Sequence, residues 1–91
     1  MKSVIHKQQI SSIGLNRYKV PLGAKVLSAG VQFGEIFFWY NRPQESARDI
    51  EVDLWAIPTG GLFDFNDRNA RFLNTVILDG GNFVMHIFVE D

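Results

Sequence analysis

Ile36, Phe37, Phe38, Trp39 and Tyr40 follow one another with no polar residue between them. Successive side chains of a strand point to opposite faces, so this segment is apolar and aromatic on both. Such a strand does not suit a sheet with one solvated face. It needs cover on both sides, from a second sheet, a ligand or another subunit. A second apolar run, Lys25 to Phe33, lies just before it, with Gly34 and Glu35 between. Two apolar runs around a Gly turn predict a β-hairpin over Lys25 to Arg42. In its first strand Leu27, Ala29, Val31 and Phe33 share one face, and Val26, Ser28, Gly30 and Gln32 the other.

The other segments follow the same period. Residues 3–10 predict a first strand with a partly polar face, and 15–20 a half-exposed one that ends at Pro21-Leu22-Gly23. Residues 41–47 predict a polar loop at the tip of a second hairpin. Residues 48–57 alternate cleanly, with Ile50, Val52, Leu54 and Ala56 on one face and Glu51, Asp53, Trp55 and Ile57 on the other. Pro58-Thr59-Gly60-Gly61 breaks that strand, and residues 62–70 have no period and predict a loop. Arg71 to Leu78 and Phe83 to Val89 are strands around the turn Asp79 to Asn82. No stretch combines helical spacing with caps over a helix length. The chain is therefore expected to be all-β, one domain over residues 1–91, a small antiparallel sandwich or barrel of six to seven strands in near-meander order.

Composition narrows the function. The 91 residues are 46% hydrophobic and carry nine basic and ten acidic groups, for a net charge of −1. No basic cluster is present to neutralise duplex phosphates, so duplex nucleic acid is not an expected partner. Without cysteine there is neither a disulfide nor a thiolate metal site. No apolar segment approaches the length of a signal core or a membrane-spanning helix, so a cytoplasmic, non-membrane protein is expected.

Several constellations carry chemistry, each with a plainer alternative. Arg42, Arg48, Arg68 and Arg71 lie at strand ends or in loops. With Asn41, Asn69 and the Gly60-Gly61 amides they suit phosphate or carboxylate oxygens, because arginine forks bind such oxygens in pairs; equally they suit ordinary solvated positions. Trp39, Trp55 and Phe37 suit stacking on a nucleobase, or core packing. His86, mid-strand among apolar neighbours, reads as a buried, hydrogen-bonded structural histidine, and His6 as solvated. Glu51 and Asp53 read as a solvated strand face rather than an acid–base pair. The sequence Asp64 to Asn69 lacks the spacing and terminal Glu of a calcium loop. No nucleophile elbow, phosphate loop or dinucleotide fingerprint occurs, and no cofactor or metal is expected.

Val20-Pro21-x-Gly23-Ala24-Lys25-Val26-Leu27, Val31-Gln32-x-Gly34 and the strand with Trp39 resemble a family of short bacteriophage and prophage proteins. So do Ala70-Arg71-Phe72-Leu73-x-Thr75-Val76-x-Leu78-Asp79-Gly80-Gly81 and Phe83 to Phe88, where Met85 takes a position usually held by Trp. The likeness spans most of residues 18–89 and is weakest over 43–69. It brings no site residues with it. It implies an accessory factor in the host cytoplasm that blocks a host protein or sequesters an immune signal.

These lines combine into an expectation. The chain is a non-enzymatic, homo-oligomeric sponge for a small anionic ligand, such as a cyclic nucleotide or an ADP-ribose derivative. Trp39 and Trp55 stack on it, and Arg42, Arg68 and Arg71 clamp its phosphates. The alternatives are a protein–protein inhibitor, a virion-associated structural module and a hydrolase. A concave pocket lined by arginine and aromatics favours the sponge. An exposed aromatic patch favours the inhibitor.

Overall fold

The two-faced apolar strand does receive cover, and a second sheet supplies it on one side. The computed structural model describes residues 2–45, 48–64 and 69–91. Its strands are β1 (Ser3–Ile10), β2 (Gly14–Pro21), β3 (Lys25–Gln32), β4 (Glu35–Pro43), β5 (Asp49–Pro58), β6 (Arg71–Leu78) and β7 (Phe83–Glu90), with a 3-10 turn at Asp79–Gly81. All ladders are antiparallel. One sheet has the order β1-β4-β3 and the other β2-β5-β7-β6. The protein is a β-sandwich and not a closed barrel.

The order departs from the expected near-meander. Of the strands consecutive in sequence, only β3–β4 and β6–β7 are hydrogen-bonded neighbours. The segment after Pro43 is not a hairpin tip, because β4 and β5 belong to different sheets. The alternation within each strand allows this: each buries one set of side chains between the sheets whichever sheet it joins. Phe38 and Tyr40 of β4 face Val52 and Leu54 of β5 and Ile87 and Val89 of β7 in one core, with Val20, Val26 and Val76 around them.

The assignment of faces in β3 needs one correction. Val26 and Ala29 are both buried, and Leu27 is exposed. Val26 pairs with Tyr40 and Ser28 with Trp39, so Leu27 is an extra residue, a β-bulge. Strand β6 carries a matching bulge at Leu73, between Phe72 opposite Phe88 and Asn74 opposite Ile87.

The two bulged strands are the facing edges of the two sheets. Side chains, not a ladder, join them. Asn74 accepts a hydrogen bond from the Ala29 backbone N–H at 2.8 Å and donates one to the Ala29 carbonyl. Arg71 donates to the Val26 carbonyl at 2.9 Å. Each bulge stretches the spacing of inward residues from two to three, so Val26 and Ala29 match Arg71 and Asn74. Another seam is closed in the same manner: Tyr18 donates to the Gln9 carbonyl at 2.7 Å and Gln8 to the Lys19 carbonyl at 3.2 Å. Edge groups that would otherwise invite another chain are thereby occupied.

Two consequences are measurable. Asn74→Ala strands a part-buried donor and acceptor at Ala29, at a cost of about 1–3 kcal/mol per group. Unfolding should show a loss of about 2–6 kcal/mol and a Tm lower by roughly 8 °C or more. A loss within error would remove the clamp from the account. Tyr18 has its phenol pKa raised above 10.0, first by burial, with a backbone bond at Ser11 opposing. Below pH 10 both states hold the proton and the shift contributes nothing; above it the unfolded chain ionises first, so stability falls. Tyr18→Phe should be the weaker protein at pH 7, having lost the bond to Gln9, yet lose less stability between pH 7 and 11.

Candidate functional site

Four connections meet at one end of the sandwich. The register brings Ile10 opposite Ile36, Gln32 opposite Glu35, Pro58 opposite Met85 and Leu78 opposite Phe83. Each connection is fixed locally. The β1–β2 turn is held by Asn16, which accepts from the Ser12 N–H at 3.1 Å and donates to the Ser12 and Gly14 carbonyls at 2.8 and 3.1 Å. The Pro58–Gly61 turn closes with a Gly61 N–H bond to the Pro58 carbonyl at 2.8 Å, with Gly60 at φ +88°. The β6–β7 turn passes through Asp79 and Gly80 at φ 51° and 62°.

The β3–β4 turn is the unusual one. Its two central residues are Phe33 and Gly34, one place earlier than the sequence suggests, with φ of 53° and 75°. Positive φ at both positions matches the right-handed twist of the strands, and Asn-Gly satisfies it most cheaply. A bulky residue there is disfavoured because its Cβ crowds the backbone. Burial gives nothing back, since Phe33 is 90% exposed.

Phe33 is one of a set. Ile13 is 65% exposed, Leu62 99% and Phe83 55%, each in or beside one of the other connections. A cleft of about 480 Å³ opens between the sheets here, lined by Ile10, Ile36, Leu78, Phe83 and Met85 with Glu35 and Asp79. Its size is within the ~300–1,000 Å³ typical of ligand pockets. Glu35 accepts from Gln9 at 2.8 Å, and Asp79 from Asn82 at 3.4 Å. Among the described residues neither carboxylate has a lysine or arginine partner. Residues 10–15, 32–37, 57–64 and 77–84 contain no Lys, Arg or His at all. Among the described residues, the end is therefore apolar and acidic.

A smaller cleft, about 230 Å³, lies beside the Pro58–Gly61 turn between Phe63, Phe88 and His86. The expected hydrogen bonds of His86 are present, though the ring is half-buried rather than buried. Thr59 Oγ1 is 2.8 Å from Nε2 and Thr75 Oγ1 3.0 Å from Nδ1. A hydroxyl beside a histidine is the start of a nucleophile–base pair. Here the second nitrogen faces another hydroxyl and not the carboxylate that would stabilise an imidazolium. The arrangement ties the turn to β6 and β7.

Those of the predicted anion-site residues that the structure describes are not gathered into one place. Trp39 alternates with buried Phe38 and Tyr40, and Trp55 with buried Leu54 and Ala56, so the two tryptophans lie on opposite outer faces. Trp39 covers Gly30, where an added Cβ would sit 3.2 Å from the indole. Trp55 is buried under Phe63, ring centres 5.5 Å apart, and Phe63 stacks on Phe88 at 4.7 Å. The apolar outer face of β5 and β7 is thus covered at this point by the chain's own loop, while the outer face of β4, with Phe37 and Trp39, belongs to the other sheet. Arg71 is engaged by Val26 and by Asp91 at 3.0 Å. Arg42 is exposed on β4, opposite Val4. Arg68 lies outside the described residues. Arg48 is exposed, and Asp53, half of the carboxylate pair, is bound by Arg17 at 3.2 Å. The exposure of Phe33 was not legible in the sequence, because its aromatic ring reads as part of the strand.

A family model, described as a domain of unknown function (DUF7352), matches residues 1–91. The chain belongs to the DUF7352 family. No curated protein and no solved structure matches it. Membership in DUF7352 covers the whole sandwich, so both the seams and the turn-bearing end fall inside the family's boundary.

Phe33→Asn should relieve the turn. An L-residue in the left-handed region costs about 1–2 kcal/mol, which Asn lowers by bonding locally. Thermal unfolding should show a gain of about 1 kcal/mol, or roughly 4–8 °C in Tm. A destabilised variant would mean that Phe33 packs usefully within its own chain.

Proposed function

We propose that this DUF7352 protein is a non-catalytic docking module, of the accessory bacteriophage type that its sequence resembles, and that it binds a protein partner through its turn-bearing end. The observation that carries this reading is the exposure of Phe83, which lines the 480 Å³ cleft, together with that of Ile13, Phe33 and Leu62 in the other connections at the same end. Large exposed apolar groups clustered in one place mark interaction sites, whereas scattered ones do not. Phe33 strengthens the case. It is held in a costly backbone conformation without burial, and strain of that kind concentrates where function retains it.

The reading of a sponge for a small anion has less support. Among the described residues, the larger cleft is lined by apolar groups with Glu35 and Asp79, the smaller by apolar groups with Thr59 and His86, and neither by arginine or lysine. A nucleotide phosphate would meet Glu35 and Asp79 there, and like charges repel it.

Site-selective photocrosslinking tests the proposal. A photoreactive phenylalanine analogue at position 33 or 83 of the full chain should give one defined adduct with a protein of bacterial cytosol. The same analogue at exposed positions 27 and 72, on other surfaces, should not. Equal labelling at all four sites, or none at 33 and 83, would overturn it. A thermal-shift panel of cyclic nucleotides and ADP-ribose derivatives is the second arm. A selective ligand at a hundred times its Kd raises stability by about 2.7 kcal/mol, and such a shift would restore the small-anion reading.

A further inference from the structure

We infer that the partner segment is a basic, apolar one: a peptide stretch that inserts an aliphatic or aromatic side chain into the cleft between the sheets and sets a lysine or arginine against Glu35 and Asp79. The inference rests on the docking reading above and adds the chemistry of the occupant. Four observations support it together. The cleft has an apolar floor made by Ile10, Ile36, Leu78 and Met85, suited to a hydrocarbon side chain. Its rim holds two carboxylates, Glu35 and Asp79. Each has an amide neighbour, Gln9 or Asn82, and among the described residues neither has a cationic one. Residues 10–15, 32–37, 57–64 and 77–84 contain no Lys, Arg or His, and Lys7 on the adjoining strand is engaged by the Gln32 side chain and the Phe37 ring.

Charge complementarity also separates the possible occupants. A second copy docking by the same end, in the two-fold manner of most homodimers, would set one acidic rim against another. An acidic segment would meet the same repulsion. A cation flanked by hydrocarbon meets attraction at the rim and burial at the floor. Phe83 lines the cleft and Phe33 adjoins its lining residue Gly34, so an aromatic face is available to attract a lysine or arginine in addition to the carboxylates.

The test is selection of random nonapeptides on the full-length protein, with Phe33→Asn as the counter-selected variant. Enriched sequences should carry Lys or Arg within two positions of Leu, Ile, Met or Phe. Their Kd should rise about fivefold in the Glu35→Gln/Asp79→Asn double variant, which is what two exposed ion pairs supply, and should rise with salt in the parent only. Both substitutions suit the fold: Gln keeps the contact with Gln9, and Asn tolerates the positive φ of Asp79. Neutral or acidic winners, or equal binding by the double variant, would overturn the basic partner while leaving a docking end in place. No winners at all, with no crosslinking at positions 33 and 83, would overturn both. Sedimentation closes the remaining possibility. A dimer in the parent that Phe33→Asn abolishes would make a second copy the occupant and refute the inference.

Discussion

Two stacked sheets have four edges, and backbone groups at an edge must find partners or stay open to other chains. This protein meets the requirement with side chains. The Asn74 amide lies against the backbone of Ala29 and offers both of the groups that a neighbouring strand would offer. Arg71 adds one bond at Val26. Gln8 and Tyr18 do similar work where β1 meets β2. These contacts hold the sheets at the separation that lets Phe38, Leu54 and Ile87 interleave with no exposure at all. The core depends on the seams because a domain of this size buries little beyond its minimum.

The outer faces follow from the same economy. A short sequence with this much aromatic content cannot put every ring between its sheets. Trp39 is laid across Gly30, where the missing Cβ makes room for it. Trp55 and Phe88 are roofed by Phe63 from the segment after β5. Ile13, Phe33, Leu62 and Phe83 remain exposed at the turn-bearing end, where residues 10–15, 32–37, 57–64 and 77–84 carry no basic side chain. Function is inferred at that end because the rest of the aromatic surface has a structural explanation.

Much of the fold was legible from side-chain period alone. The strands from β5 onward and the inward faces of β5 and β7 follow directly from alternation. The bulges did not show, because Leu27 is as apolar as its neighbours and fits either face of a regular strand. The turn at Phe33 was misplaced for a related reason: an aromatic residue reads as strand, and only the φ value reveals that it is bent. The crossing connections were hidden because alternation fixes which side of a strand is buried but not which sheet the strand joins. The candidate site suffered most. Arg71 and Trp55 have the residue types of ligand-binding groups, and only the three-dimensional arrangement shows the carbonyl, carboxylate and rings that already engage them.

The paired bulges have a consequence for how such sequences can change over time. Val26 and Ala29 are separated by the same number of residues as Arg71 and Asn74, so the two edges work as matched rulers. A deletion at Leu27 alone, or at Leu73 alone, would shorten one ruler and leave the other unchanged, and at least one contact across the seam would be lost. Removing both together would restore two regular ladders of equal length. Length changes in β3 and β6 should therefore be inherited in pairs, and a relative that lacks one extra residue is expected to lack its counterpart some 46 positions later in the chain.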